Sequence, residues 1–119
     1  MPESDETEKK LGGNITLIGF KLESVELVIV KKIVGNYAKK LAEKSGYKEL
    51  KLRLKQREHG KSLLNEIEAE AVVQRDKTEG SDIRLSAAAQ DYNLFSALAI
   101  VMGKLLSEAE HKSKLNSNK

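Results

Sequence analysis

The stretch that decides the fold is residues 47–75, YKELKLRLKQREHGKSLLNEIEAEAVVQR. Its first part alternates leucine with lysine or arginine, and its second part, from Leu64, alternates apolar residues with glutamate. This period of two is typical of strands that bury one face and expose the other. His59 and Gly60 separate the two parts and predict a turn. We therefore expect an antiparallel pair of strands.

Six charged residues of this pair are expected to face each other across the ladder. The basic set is Lys51, Arg53 and Lys55, and the acidic set is Glu66, Glu68 and Glu70. Opposite charges placed across two strands contribute roughly 0.2–1 kcal/mol per pair, so we interpret these residues as fixing the strand register rather than binding RNA. No histidine accompanies the glutamates, which argues against a metal site there.

Downstream, the pattern indicates one further strand and a long helix. Residues 76–82 read as a turn, and the alternation of Ile83, Leu85 and Ala87 predicts a strand. Asp91 is the expected helix cap. The helix runs to about residue 111 and carries a wide apolar stripe, formed by Leu94, Phe95, Leu98, Val101, Met102, Leu105 and Ala109.

Upstream, residues 14–20 predict a first strand and residues 24–45 a first helix. Ser24 is the expected N-cap, and Gly46 is the expected end of the helix. Gly35 should cost about 1 kcal/mol inside the helix. The apolar residues recur at helical spacing, at Leu27, Val30, Val34, Tyr37, Ala38 and Leu41.

Together these elements predict an α+β fold in the order β-α-β-β-β-α. We expect a two-layer sandwich, in which both helices pack on one face of a four-stranded, mainly antiparallel sheet. Residues 13–112 form the expected single domain. Residues 1–12 and 113–119 are polar and lack periodicity, so they are expected to be a disordered N-terminal arm and a disordered C-terminal tail.

Composition excludes several classes of protein. The 119 residues include no cysteine, which excludes a disulfide framework and thiol chemistry. The apolar runs are far shorter than the ~20 residues that a membrane helix needs. The N-terminus MPESDETEKK lacks the basic start and apolar core of a secretory signal. The expected location is the cytoplasm, with no membrane contact.

Charge is concentrated in one part of the chain. The formal net charge is +3, yet residues 31–57 alone hold ten lysines and arginines against Glu43 and Glu49, a net charge of +8. Clustered basic side chains are typical of proteins that bind phosphate backbones. A solvated face in a lysine-rich protein is the alternative interpretation of the same cluster.

No residue set indicates catalysis. Gly60-Lys61-Ser62 matches the end of a phosphate-binding loop, but Lys55 stands where that motif needs its first glycine. His59 and His111 have no serine or acid at a catalytic spacing. We expect a non-enzymatic protein with no cofactor and no metal.

The end of the chain carries a resemblance to a known family. Residues Asn93-Leu94-Phe95-Ser96-Ala97-Leu98, followed by Val101-Met102-Gly103-Lys104-Leu105, resemble the last helix of the ribosome hibernation-promoting factor and ribosome-associated inhibitor family in its short form. Asn14-Ile15-Thr16-Leu17-Ile18-Gly19 is similar to the first strand of that family. The resemblance covers residues 13 to 112 and implies a fold related to double-stranded RNA-binding domains.

The resemblance also implies a function and a set of contact residues. It implies association with ribosomal RNA of the small ribosomal subunit, in the groove used by messenger and transfer RNA, which inhibits translation as ribosome hibernation. Such recognition is by shape and phosphate contacts. Basic residues of both helices serve it, which here are Lys31, Lys32, Lys39, Lys40, Lys104 and Lys112.

A second hypothesis is an interaction or scaffold domain of the same fold that does not bind the ribosome. Ser96, Ile100, Gly103 and Ser107 fall opposite the apolar stripe of the last helix. Small residues permit close approach, so this face could form a homodimer or contact RNA. Val28 and Ile29 are a further candidate partner patch.

Overall fold

The computed structural model describes the backbone of residues 7–74 and 82–117 and the side chains of residues 7–73 and 82–111. The described strands form one mixed sheet in the order β1-β2-β3-β4-β5, in which β2 and β3 are parallel and the other neighbours are antiparallel. The elements are β1 (Glu8–Gly12), β2 (Ile15–Ile18), α1 (Ser24–Lys44), β3 (Tyr47–His59), β4 (Ser62–Gln74), β5 (Asp82–Asp91) and α2 (Leu94–Ser117).

The core lies between the sheet and the two helices. Leu50, Leu52 and Leu54 of β3 are buried there, against residues of both helices such as Val34 and Leu98. Apolar residues of β4 and β5 point the same way because side chains alternate along a strand. The predicted α+β sandwich is confirmed.

The described sheet has five strands, so the predicted number of four is wrong. Residues 8–12 were assigned to the disordered arm but form β1, while residues 1–6 of that arm lie outside the described residues. Glu8, Lys9 and Lys10 are all exposed and give no apolar period. Backbone pairing with β2 orders this strand, through a turn in which Gly12, Gly13 and Asn14 all have positive φ.

The predicted register of the β3–β4 hairpin is confirmed. Lys51 lies opposite Glu70, Arg53 opposite Glu68 and Lys55 opposite Glu66. The register therefore places opposite charges directly across the two strands. A 2.6 Å ion pair joins Arg57 Nη2 to Glu66 Oε2, although these two residues are diagonal neighbours and not directly opposite each other. These residues occupy the face of the sheet opposite the helices.

The first helix begins where predicted, with a different cap. Its N-cap is Glu23 rather than Ser24, and the Glu23 backbone N–H donates to Glu26 Oε1 at 3.3 Å. Glu26 in the first turn also complements the positive end of the helix dipole. Gly46, at φ +68, follows the helix as predicted, and its N–H donates to the carbonyls of Leu41 and Ala42.

The second helix also differs from prediction at its ends. Asn93 rather than Asp91 receives a backbone bond of the first turn, since Ser96 N–H donates to Asn93 Oδ1 at 2.9 Å, and Asp91 Oδ1 accepts from Asn93 N–H at 2.8 Å. The helix continues to Ser117, into the predicted tail, because residues 112–117 include no glycine or proline to end it.

Candidate nucleic-acid interface

The outward face of α1 carries a line of exposed lysines. The helix buries Val30, Val34, Ala38 and Leu41. Lys32 and Lys39 lie on the opposite side and are exposed. They are seven residues apart, about two turns, so they share one line along the helix. Among the described residues neither makes a hydrogen bond or ion pair, which leaves both ammonium groups available to a ligand.

Lys31 and Lys40 lie on the two flanks of this line. The nine residue steps from Lys31 to Lys40 turn the helix by about 900°, so the two side chains leave on opposite sides. Lys31 is exposed and makes no ion pair with a described residue. Lys40 Nζ lies 5.3 Å from the centre of the Tyr37 ring, a cation–π contact. That contact holds the Lys40 charge at the surface without neutralising it.

The Lys40 flank of α1 faces α2. Lys44, one turn further on, forms an ion pair with Glu110 of α2 at 2.9 Å. The hydrogen bond to Glu110 and its negative charge raise the pKa of Lys44, with a smaller contribution from Glu43. Lys44 was not among the predicted site residues, and its charge is compensated. The other four lysines of α1 are the group that the fold brings together.

Lys104 of α2 does not join that group. Lys104 Nζ donates to the backbone carbonyl of Ala88 in β5 at 2.8 Å, which places its charge at the edge of the sheet. Glu110, on the flank of α2 that meets α1, is negatively charged and adds no cation there. Lys112 lies within α2, but its side chain is outside the described residues.

The start of α1 adds an apolar segment to the same outward face. Val25 and Val28 are 72% and 59% exposed, and Ile29 is 38% exposed. Val25 precedes Lys32 by seven residues and lies on the same line. The outward face of α1 is therefore apolar in its first two turns and basic from Lys31 onward. Val28 and Ile29 are the partner patch predicted from the sequence, and Val25 extends it.

The other charged groups singled out from the sequence lie on the outer face of the sheet and in the β3–β4 turn region. The outer face of the sheet mixes the bases of β3 with the glutamates of β4. His59, in the β3–β4 turn region, is hydrogen-bonded to Tyr92 OH.

Within residues 7–73 and 82–111, no three His, Asp or Glu side chains cluster as a metal site would require. No described helix combines the length and apolar character of a membrane span.

Comparison with known proteins gives a distant structural similarity. The sequence matches no protein-family model and no curated protein. Among solved structures, the chain is similar to the N-terminal domain of Thermus thermophilus Protein Y, with 16% sequence identity and a TM-score of 0.46. The match covers 82% of this chain and 91% of that domain.

Proposed function

We propose that this chain is a non-catalytic RNA-binding protein whose contact surface is the outward face of α1. The observation that carries the proposal is the exposure of Lys32 and Lys39 on one line, without a carboxylate partner among the described residues. Clustered lysines without a carboxylate partner can bind the phosphates of a nucleic acid, and this binding releases the counterions condensed on the phosphates. Lys31 and Lys40 widen the line on both sides.

The proposed partner is ribosomal RNA of the small ribosomal subunit, and the proposed outcome is inhibition of translation. The partner class is supported by the sequence resemblance in the first strand and the last helix, and it would make the chain a cytoplasmic hibernation factor. A rigid helix suits a folded RNA, because shape and phosphate spacing are then recognised without reading bases. Lys104 and Lys112 stay in this proposal as secondary contacts, and Lys104 lies apart from the α1 group.

Co-sedimentation with purified small ribosomal subunits at rising salt tests the proposal. The intact chain should bind, and the logarithm of the binding constant should fall linearly with the logarithm of salt concentration, by roughly 0.7–0.9 per phosphate contact. The double variant Lys32→Glu/Lys39→Glu should lose at least about tenfold in affinity and show a shallower salt dependence, since it removes two contacts.

A matched control separates the site from the overall charge. Lys10 and Lys61 are exposed residues of β1 and the β3–β4 turn, and neither belongs to α1. Lys10→Glu/Lys61→Glu changes the net charge by the same amount and should retain most of the binding. Equal losses in the two double variants would contradict α1 as the site, and absence of binding by the intact chain would contradict the function.

A further inference from the structure

The two edges of the described sheet differ in how they are protected against pairing with another strand. The β1 edge is short, carries the charged residues Glu8, Lys9 and Lys10, and has a bulge between Lys10 and Gly12. Charges, short length and bulges are what proteins use to prevent edge-to-edge association. The β5 edge is ten residues long and pairs with β4 without a register shift. Its central residues 86–90, SAAAQ, carry no charge.

The backbone of β5 presents hydrogen-bonding groups to the outside. The Ala88 carbonyl accepts a hydrogen bond from Lys104 of α2, so this carbonyl is not used in pairing with β4. The backbone N–H and C=O groups of residues i and i+2 point to the same side of a strand. The backbone groups of Ser86 and Arg84 therefore also point away from β4. No other described strand covers this side of β5. A carbonyl has two lone pairs, so Ala88 can accept a second bond while Lys104 stays in place.

The surface beside this edge is open and partly apolar. Two shallow grooves of about 500 and 490 Å³ meet at Ala88 and Lys104. The first is lined by Ile100 of α2, which is 42% exposed, and the second by Ser107. An approaching sheet edge would bury the apolar Ile100 along with the strand.

Two charges close to the uncharged centre, Arg84 of β5 and Glu68 of β4, become complementary under two-fold symmetry. Arg84 and Glu68 are exposed on the same face of the sheet, and neither forms an ion pair with a described residue. Pairing two β5 strands antiparallel about Ser86 sets Arg84 of one copy opposite Ala88 of the other, beside which lies Glu68. Two strand spacings amount to about 10 Å, which an arginine and a glutamate reaching over a small alanine can bridge.

We propose that two copies of this chain form a homodimer by antiparallel pairing of their β5 strands around Ser86, with Arg84 of each copy bound to Glu68 of the other. The two-fold axis makes one ten-stranded sheet from the described strands of the two copies. Both α2 helices then lie on the same side of that sheet, with Ile100 and the small residues near it at the contact. This interface is independent of the α1 lysines.

Sedimentation equilibrium over a range of concentrations, without RNA, tests the dimer. The expected result is reversible association to twice the monomer mass of 13.2 kDa. Ser86→Pro removes an outward N–H at the two-fold axis and no bond to β4, so it should abolish the dimer while circular dichroism stays native. A monomer at every concentration, or a folded Ser86→Pro chain that still dimerises, would overturn the proposal.

A charge exchange tests the side-chain contact and leaves the β5 backbone unchanged; because Glu68 also lies opposite Arg53, circular dichroism checks that each variant is folded. Arg84→Glu and Glu68→Arg should each raise the dimer dissociation constant at least about tenfold, because each places like charges together. The double variant Arg84→Glu/Glu68→Arg restores opposite charges and should recover most of the affinity. A double variant as weak as the sum of the single ones would overturn the assigned register. RNA binding is measured separately, so either proposal can fail alone.

Discussion

Two glycines show how differently one residue type is used in this fold. Gly19, which follows β2, has φ +78, and a Cβ atom there would lie 2.6 Å from the Leu54 carbonyl oxygen. Gly35 lies inside α1 with no neighbouring atom within 4 Å of its would-be Cβ. The first position therefore needs glycine for both conformation and space, whereas the second only lowers the helix propensity.

Alanine at these positions should change stability in opposite directions. We expect Gly19→Ala to lower the free energy of unfolding by about 1–3 kcal/mol through backbone strain and the clash. Gly35→Ala should raise it by about 0.5–1 kcal/mol. Urea unfolding followed by circular dichroism measures both. Changes of the same sign would contradict this account of the two sites.

The structural roles of some single residues can be predicted from the sequence, and those of others cannot. The cost of Gly35 is predictable because the residue lies inside a predicted helix, but the close contact at Gly19 depends on β3 lying alongside. Asn65 is 3% exposed and links β4 to the start of α2, donating to the carbonyls of Asp91 and Tyr92. No pattern predicted this contact, because its partners are distant in the sequence.

At the scale of elements, both helix caps were predicted one or two residues away from where they lie. More than one polar residue near the start of each helix can serve as its cap, and the sequence alone does not select between them. For α2, Asn93 caps the helix and Asp91 orients Asn93. The α1 helix and the β3–β4 hairpin were predictable because each carries an uninterrupted apolar period. The β1 strand has none and was missed.

The α2 cap gives a prediction at this scale. Asn93→Ala should lower the free energy of unfolding by about 0.5–2 kcal/mol, because the Ser96 N–H loses its acceptor. Asn93→Asp keeps an acceptor and adds a favourable charge at the helix N-terminus, so it should remain near native stability. Thermal unfolding of both variants measures the difference. Equal losses would mean that Asn93 acts through packing rather than capping.

At the scale of the whole molecule, the layered arrangement followed from the order of the elements, but the grouping of the lysines did not. Lys32 and Lys39 share a helix, so periodicity alone relates them. Lys104 is drawn to β5 because α2 packs beside that strand, a placement that no local pattern encodes. Helical periodicity therefore relates the α1 lysines of the candidate site to one another, whereas the position of Lys104 needed the structure.

Stability should decline in alkaline solution. Tyr47 donates a hydrogen bond to the Gly13 carbonyl, and burial raises its pKa, as the Glu110 contact raises that of Lys44. Both groups keep their protons to higher pH in the folded chain than in the unfolded chain. The stability they contribute is present below about pH 10 and is lost as pH rises through the folded values.

Urea midpoints measured between about pH 8 and 11 check this pH dependence. The native chain should show a falling midpoint at the alkaline end. Tyr47→Phe should be less stable at neutral pH, since it loses the bond to Gly13, and should show a shallower alkaline decline. Identical slopes for the two chains would exclude Tyr47 as a source of the effect.

The parallel pairing of β2 with β3 has a consequence for how the chain folds. The β3–β4 and β4–β5 pairs join neighbouring segments, whereas β2 meets β3 only after α1 has crossed between them. Local pairings close short loops and form fast, while crossovers delay formation. We therefore expect the three-stranded meander to act as the folding nucleus. The basic helix and the first two strands would then dock late, onto a template that the remainder of the chain has already built.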